Sequence, residues 1–227
     1  MAIAYDSAAS GTRFASTGTS HSFNHTTSGS DRFLTVQVGS YRASGGGDVV
    51  SGVTYNGVAM TLLGQDDVQP NTEYYFFHLV NPATGTNTVT VTYASTNFVW
   101  AVSASYTGVD QSSPIDSSAF DVSGQNVRSS ITSTTTVVAN DCWLVGGFFG
   151  NNGGITAGAG TTVRLRSTTD PRLAAADSNS TVSTGSQSLV VSCTNNATSW
   201  GIASIKPAGG GGGTPAQAAR RGAVMMM

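Results

Sequence analysis

Charge is what this sequence has least of. Only 10% of its 227 residues are charged, and they include a single lysine, Lys206, and a single glutamate, Glu73. So few long charged side chains leave little material for solvent-facing helices, and the abundant Ser, Thr, Gly and Val favour strands and turns. The basic residues Arg13, Arg32, Arg42 and Arg128 are scattered singly and the formal net charge is −2. That leaves no electropositive stripe to follow a phosphate backbone, which argues against nucleic acid as a partner. No apolar run approaches the roughly 20 residues of a membrane-spanning helix, so no membrane insertion is expected.

Other absences narrow the field further. Only Cys142 and Cys193 are present, which excludes a disulfide-stapled scaffold. They read as two buried small residues or as one disulfide. The N-terminus has no basic start followed by about 7 to 15 apolar residues, so it is not a secretory signal. Either such a signal has been removed, or the protein is made and assembled inside a cell, as a virion component would be. No Gly-x-Ser-x-Gly elbow occurs, and one glutamate cannot make a glutamate pair, so no hydrolase centre is legible and a non-enzymatic role is expected.

What is present is a succession of short strand signals bounded by Gly, Asn, Asp and Ser. In residues 33–41, Leu34, Val36 and Val38 alternate with Phe33, Thr35, Gln37 and Gly39, placing the first three on one core. Residues 87–93 alternate Val89, Val91 and Tyr93 with Thr88, Thr90 and Thr92, and the threonines suit a solvated face. Asn56-Gly57 sits between two apolar stretches and predicts a hairpin with a type I′ turn. The continuous apolar runs 74–80 and 142–149 predict strands buried on both faces. Further strands are expected near residues 99–106, 129–133, 162–166, 173–176, 188–193 and 200–205. The expectation is all-β: one antiparallel two-sheet sandwich over residues 1–208, with about ten to fourteen strands in jelly-roll-like order.

Five glycines at 209–213 then begin a flexible linker, followed by a basic and apolar tail over 214–227. The tail reads either as a disordered end or as a tethered peptide docking on a neighbouring subunit. In the second reading Arg220 and Arg221 meet carboxylates, and Val224, Met225, Met226 and Met227 adapt to an apolar groove.

Candidate chemistry on the sandwich is sparse. Asp66, Asp67, Asp110 and Asp116 fall in turn contexts, where Asp caps the backbone; the alternative is a structural Ca²⁺ held with loop carbonyls. No other cofactor is suggested. His21 and His25 share a strand face about 13 Å apart, too far for one metal, and His78 reads as a core or edge histidine. Tyr41, Tyr55, Trp100 and Tyr106 are either core or a stacking platform for sugar rings. Asn24, Asn179 and Asn196 start glycosylation-type triplets that a Ser/Thr-rich chain produces by chance.

Three stretches carry a resemblance: Val53-Thr54-Tyr55-Asn56-Gly57-Val58-Ala59-Met60-Thr61, then Leu79-Val80-Asn81-Pro82-Ala83-Thr84-Gly85-Thr86-Asn87-Thr88-Val89, then Ser105-Tyr106-Thr107-Gly108-Val109-Asp110 with Pro114-Ile115-Asp116. Together with Trp200-Gly201-Ile202-Ala203-Ser204-Ile205-Lys206-Pro207, they resemble a β-sandwich module of phage virion proteins and bacterial secreted surface proteins. The resemblance implies no catalytic residues. It implies a virion structural protein, a capsid decoration or tail-fibre component, that pairs with other virion subunits as a homo-oligomer. Its alternative is an extracellular or cell-surface module that binds host-surface glycan.

Overall fold

The computed structural model describes residues 1–14, 18–41, 49–66, 72–94, 98–120, 127–150, 154–167 and 172–209; side chains at 12–14, 41, 72, 127–128, 172 and 194–198 are outside that description. Every regular element among the described residues is a β-strand, and all pairings are antiparallel. The expected all-β sandwich is therefore present, and it is present twice.

In the first half, β1 (Ala4–Phe14), β9 (Phe98–Thr107), β3 (Phe33–Tyr41), β7 (Thr72–Val80) and β6 (Thr61–Asp66) form an inner sheet in that order. Facing it is an outer sheet of β2 (Ser20–Thr27), β8 (Gly85–Tyr93), β4 (Val50–Tyr55) and β5 (Val58–Ala59). In the second half the inner sheet runs β10 (Ile115–Phe120), β16 (Gly185–Ile205), β12 (Trp143–Gly150), β15 (Arg172–Asp177), β14 (Thr162–Arg166). Its outer sheet pairs β11 (Val127–Val137) and β13 (Thr156–Ala157) with the first arm of β16. The long β16 passes from outer to inner sheet and does the work that β8 and β9 share in the first half.

The two halves share one arrangement, with the short β13 where the first half has β4 and β5, and they match in their irregularities. A bulge at Asp6 separates the pairs Tyr5↔Tyr106 and Ser7↔Ser105, and one at Asp116 separates Ile115↔Ile205 and Ser117↔Ser204. Each bulged carboxylate accepts from the backbone just past the next strand: Asp6 from Ser28 N–H at 2.9 Å, Asp116 from Val138 N–H at 2.8 Å. A second bulge falls at Leu63 in β6 and at Arg164 in β14. Asp31 before β3 and Asp141 before β12 both take positive φ, 50° and 58°. Bulges are positional features of a fold, so their recurrence shows that the two halves repeat one arrangement of strands.

The units pack inner sheet on inner sheet, giving four layers. Leu34, Val36, Val53, Tyr55, Val89 and Val91 belong to the first core, Ile131, Leu144, Phe148, Leu189 and Val191 to the third. Between them lies the middle core, with Phe33, Tyr74, Phe76, Trp100, Tyr106, Trp143, Val145 and Phe149. This is why residues 74–77 and 142–149 carry no charged side chain and are buried: the central inner strands have a core on both sides. It is also why Thr35 and Gln37, which alternate with the valines of β3, are buried; Thr35 donates to the Ala104 carbonyl at 3.0 Å and Gln37 donates to Thr35 at 3.2 Å.

An approximate twofold axis along the strands relates the halves. Phe120 of β10 lies over Gly64 of β6, and reciprocally Arg164 of β14 lies 4.1 Å over the Tyr5 ring of β1. Trp100, early in β9, meets Phe149, late in β12 (5.9 Å), while Tyr106 meets Trp143 at the other end (6.4 Å). Both halves thus point the same strand ends the same way. One polar pin crosses the middle core: Asp177 accepts from Tyr106 Oη at 3.1 Å and from Arg164 Nε at 2.6 Å. Burial, then the Asp177 carboxylate, holds the Tyr106 phenol well above its usual pKa, so it remains a donor.

The predicted hairpin is found at Asn56 and Gly57, with φ of 51° and 76°, the two positive values a type I′ turn needs. Among the described residues there are sixteen strands, more than the count expected; β1, β10 and β13 were not expected because they lack a strong alternating pattern. Glycine also sets the closeness of the middle layer. A Cβ on Gly201 would come within 2.6 Å of the Phe120 ring and 2.7 Å of Tyr74. Gly201→Ala is expected to cost about 1–3 kcal/mol through overpacking, a fall in melting temperature of about 2–4 °C per kcal/mol for a chain this long. Gly52→Ala, whose Cβ would meet no atom within 4 Å, is the control and should leave the melting temperature nearly unchanged.

Candidate functional site

The structure disperses the residues that the sequence singles out. Tyr55, Trp100 and Tyr106 have relative exposures of 0%, 0% and 1%, so they belong to the cores and offer no face to a sugar ring. This corrects their reading as a glycan platform: Tyr55 faces the first core, and Trp100 and Tyr106 face the middle core, on the side of β9 that a two-layer count leaves to solvent. The Tyr41 side chain is outside the described residues. Asp110 caps its own turn, accepting from Ser112 N–H at 2.8 Å, Ser112 Oγ at 2.7 Å and Ser113 N–H at 3.0 Å; these bonds hold its carboxyl below the usual pKa. Asp116 accepts from Val138 and Ala139 N–H. Asp66 is buried, and Asp67 lies outside the described residues, as do Arg220, Arg221, Val224, Met225, Met226 and Met227. Among the described residues no three His, Cys, Asp or Glu side chains come together as metal ligands.

One polar seam was not legible in the sequence. His25, 1% exposed, has Ser103 Oγ 2.8 Å from Nδ1 and Ser7 Oγ 3.3 Å from Nε2. Ser7 also donates to the Thr26 carbonyl and lies 3.2 Å from Ser105 Oγ, which donates to Asp6 at 2.8 Å. The imidazole thereby braces β1 against β2 and β9. Burial pushes its pKa down to about 4, the Asp6 charge opposing only in part. The carboxylate of Asp6 bonds Ser28 and Ser105 rather than the ring, so the orienting third member of a Ser-His-acid triad is not in place. In the second half the corresponding residue is Thr135, which donates to Ser117 at 3.0 Å. His78, expected as a core or edge histidine, is half-buried and stacks on Phe33 at 5.4 Å. Cys142 is buried in the third core and Cys193 packs against it.

The recesses fall at matching places in the two units. Between β4–β5 and β6 an open cleft of about 460 Å³ is lined by Val53, Ala59, Met60, Leu62 and Phe77. Between β13 and β14 its counterpart, about 480 Å³, is lined by Ile155, Ala157, Val163, Arg164, Leu165 and Arg166. Both form where an outer sheet is narrower than its inner sheet, leaving a gap beside an edge strand. The chemistry of the two differs. Among the described residues the first has no charged lining and mixes Val53, Met60, Leu62 and Phe77 with Ser51, Thr54 and Thr92, Leu62 being 43% exposed; the second carries two arginines, of which Arg164 is already engaged by Asp177 and by Asn179 at 2.6 Å. The outer faces themselves are hydroxyl ladders: Ser22 with Thr90, Thr26 with Thr86 (both 2.8 Å) and Thr134 with Ser188 (2.7 Å).

Comparison with protein-family models, curated proteins and solved structures gives no match for this chain.

Two measurements test this account. With Asp110 and Asp116 spent on backbone N–H groups, addition of Ca²⁺ or of a chelator should leave the melting temperature unchanged; a rise with Ca²⁺ would return these carboxylates to a metal role. For His25 the unfolded ring protonates near pH 6.5 and the folded one near pH 4. Stability should therefore fall as pH drops through that window, by as much as about 3 kcal/mol, and the His25 contribution should level off below it. Urea unfolding at neutral and mildly acidic pH would read the slope, and His25→Gln should remove most of it.

Proposed function

We propose that this protein is a non-enzymatic assembly module, a structural component of a virion of the capsid-decoration or tail-fibre kind, acting through its sandwich surfaces and its C-terminal tail. The observation that carries the reading is the pair of edge-strand clefts on a four-layer block. An exposed edge strand beside an apolar recess is a template for an added strand from another chain, and soluble proteins ordinarily cover such edges. The uncharged Ser/Thr outer faces support a role in contacts between subunits more than in recognition of a charged ligand. The resemblance of residues 53–61, 79–89 and 105–116 to virion sandwich modules points the same way. Glycan binding, the competing reading, is left with no exposed aromatic among Tyr55, Trp100 and Tyr106.

The test is association of the purified full chain. Analytical ultracentrifugation over a wide concentration range should find species larger than the monomer, growing with concentration. A chain that sediments as a monomer throughout would overturn the assembly reading.

A further inference from the structure

Independently of the assembly reading, we infer that Asn56 is a site of self-modification: its carboxamide cyclises on the nitrogen of Gly57 and, after hydrolysis, leaves a carboxylate on the β4–β5 hairpin. The turn that makes the hairpin also opens the way to the reaction. A type I′ turn needs positive φ at both central residues, here 51° at Asn56 and 76° at Gly57, and glycine meets the second requirement because it has no Cβ. The same missing Cβ leaves the Gly57 nitrogen unhindered. Both residues are exposed, and a Cβ built at Gly57 would meet no atom within 4 Å. Neither the Asn56 carboxamide nor the Gly57 N–H has a hydrogen-bond partner among the described residues.

The Gly57 nitrogen gives its proton to hydroxide and bonds Asn56 Cγ. The Cγ–Nδ2 bond breaks, and Nδ2 takes a proton from water and leaves as ammonia, so that a cyclic succinimide remains. Water then opens the ring at either carbonyl. Cleavage between Cγ and the Gly57 nitrogen restores the ordinary backbone with aspartate at position 56. Cleavage between the Asn56 carbonyl carbon and that nitrogen leaves the backbone running through Cβ and Cγ as isoaspartate. Water is the only co-reactant, and the rate rises with pH because the attacking nitrogen must lose its proton.

Local opening of the hairpin tip lets the two groups meet. The tip is held by the Asn56 N–H to the Thr88 carbonyl, by the Met60 N–H to the Val53 carbonyl, both 2.9 Å, and by the two residue pairs of β5 with β4. Val58 and Ala59 are exposed, so little buried surface opposes that opening. Other asparagines are tied down: Asn24 Oδ1 accepts from Thr88 at 3.3 Å, Asn81 and Asn179 accept from Arg32 and Arg164, each at 2.6 Å, and Asn87 donates to the Thr84 carbonyl at 3.1 Å. Asn81 also precedes Pro82, which has no N–H. Asn140 precedes Asp141, whose side chain crowds the nitrogen. The product changes the recess beside the hairpin. Thr54, Ala59 and Met60 line the cleft between β4–β5 and β6, which has no charge among its described lining, and the reaction places a carboxylate on the turn that ends that wall. In the isoaspartate form the backbone is longer by a methylene, and the pair Tyr55↔Val58 no longer closes over a two-residue turn.

The experiment is incubation of the purified, folded full chain at neutral and mildly alkaline pH, followed by peptide mapping with mass spectrometry and by labelling with an isoaspartyl methyltransferase. The peptide holding Asn56 is expected to gain the mass difference between OH and NH2 in two separable products, aspartate and isoaspartate, and to do so faster at the higher pH. Peptides holding Asn24, Asn87, Asn140 and Asn179 are expected to stay unchanged. Asn56→Gly keeps the positive φ that the turn needs and removes the carboxamide, so the signal should be lost while circular dichroism shows the fold retained. Asn152-Gly153, the chain's other Asn-Gly pair, lies outside the described residues and is read in its own peptide. An Asn56 that survives in the folded chain overturns the inference, as does conversion of the tied-down asparagines at the same rate. Conversion to aspartate alone would mean direct hydrolysis and equally overturn the cyclisation. None of these outcomes bears on the assembly reading.

Discussion

The structure depends on the contact between its two inner sheets. A two-layer sandwich has one core; here the middle core is shared, so that β3, β7, β9, β12 and β15 are buried on both faces. Aromatic side chains of one sheet lie against glycines of the other: Phe149 over Gly39, Tyr74 against Gly147 and Gly201, Phe120 over Gly64. Each such pair lets the sheets approach closely while burying a large ring, and close packing at native density is what makes the contact sensitive to one added methyl group. The Asp177–Tyr106–Arg164 pin adds direction to it, because a buried carboxylate is tolerated only where its partners are in position.

From that contact the rest follows. Because both units use the same sheet face, their approximate twofold axis runs along the strands and the corresponding strand ends of both halves point the same way. Because the outer sheets are narrower than the inner ones, each unit keeps an uncovered gap beside an edge strand, and these gaps are the clefts on which the functional proposal rests. The hydroxyl ladders sit on the remaining outward faces, where threonine fits a pleated surface in contact with water.

Much of this was legible in the residues, though not all of its meaning. The all-β class, the Asn56-Gly57 hairpin, the inward set Leu34, Val36 and Val38 and the strands near 162–166, 188–193 and 200–205 follow from period-two patterning and turn chemistry. The apolar runs 74–80 and 142–149 were equally plain, and a strand buried on both faces requires a layer on each side; that signal pointed past a two-layer sandwich. The repeat itself was hidden because the halves share geometry more than side chains: Thr35 corresponds to Val145, Gln37 to Gly147, His25 to Thr135. Tyr55, Trp100 and Tyr106 could not be placed because alternation identifies a face without saying what covers it. The clefts were invisible for a related reason, since a recess is made by the unequal widths of two sheets and no local pattern encodes that.

The repeated arrangement has one more consequence. In a symmetric pair of identical subunits every substitution is made twice, so an improvement on one side of the axis is tied to whatever it does on the other. Joining the two units in one chain breaks that tie while keeping the shared core. The two units differ in this way: one seam holds a histidine and its twin a threonine, and one recess has no charge among its described lining while its twin bears arginines. The two units thus share one core and differ in what they carry at the seam and in the recess.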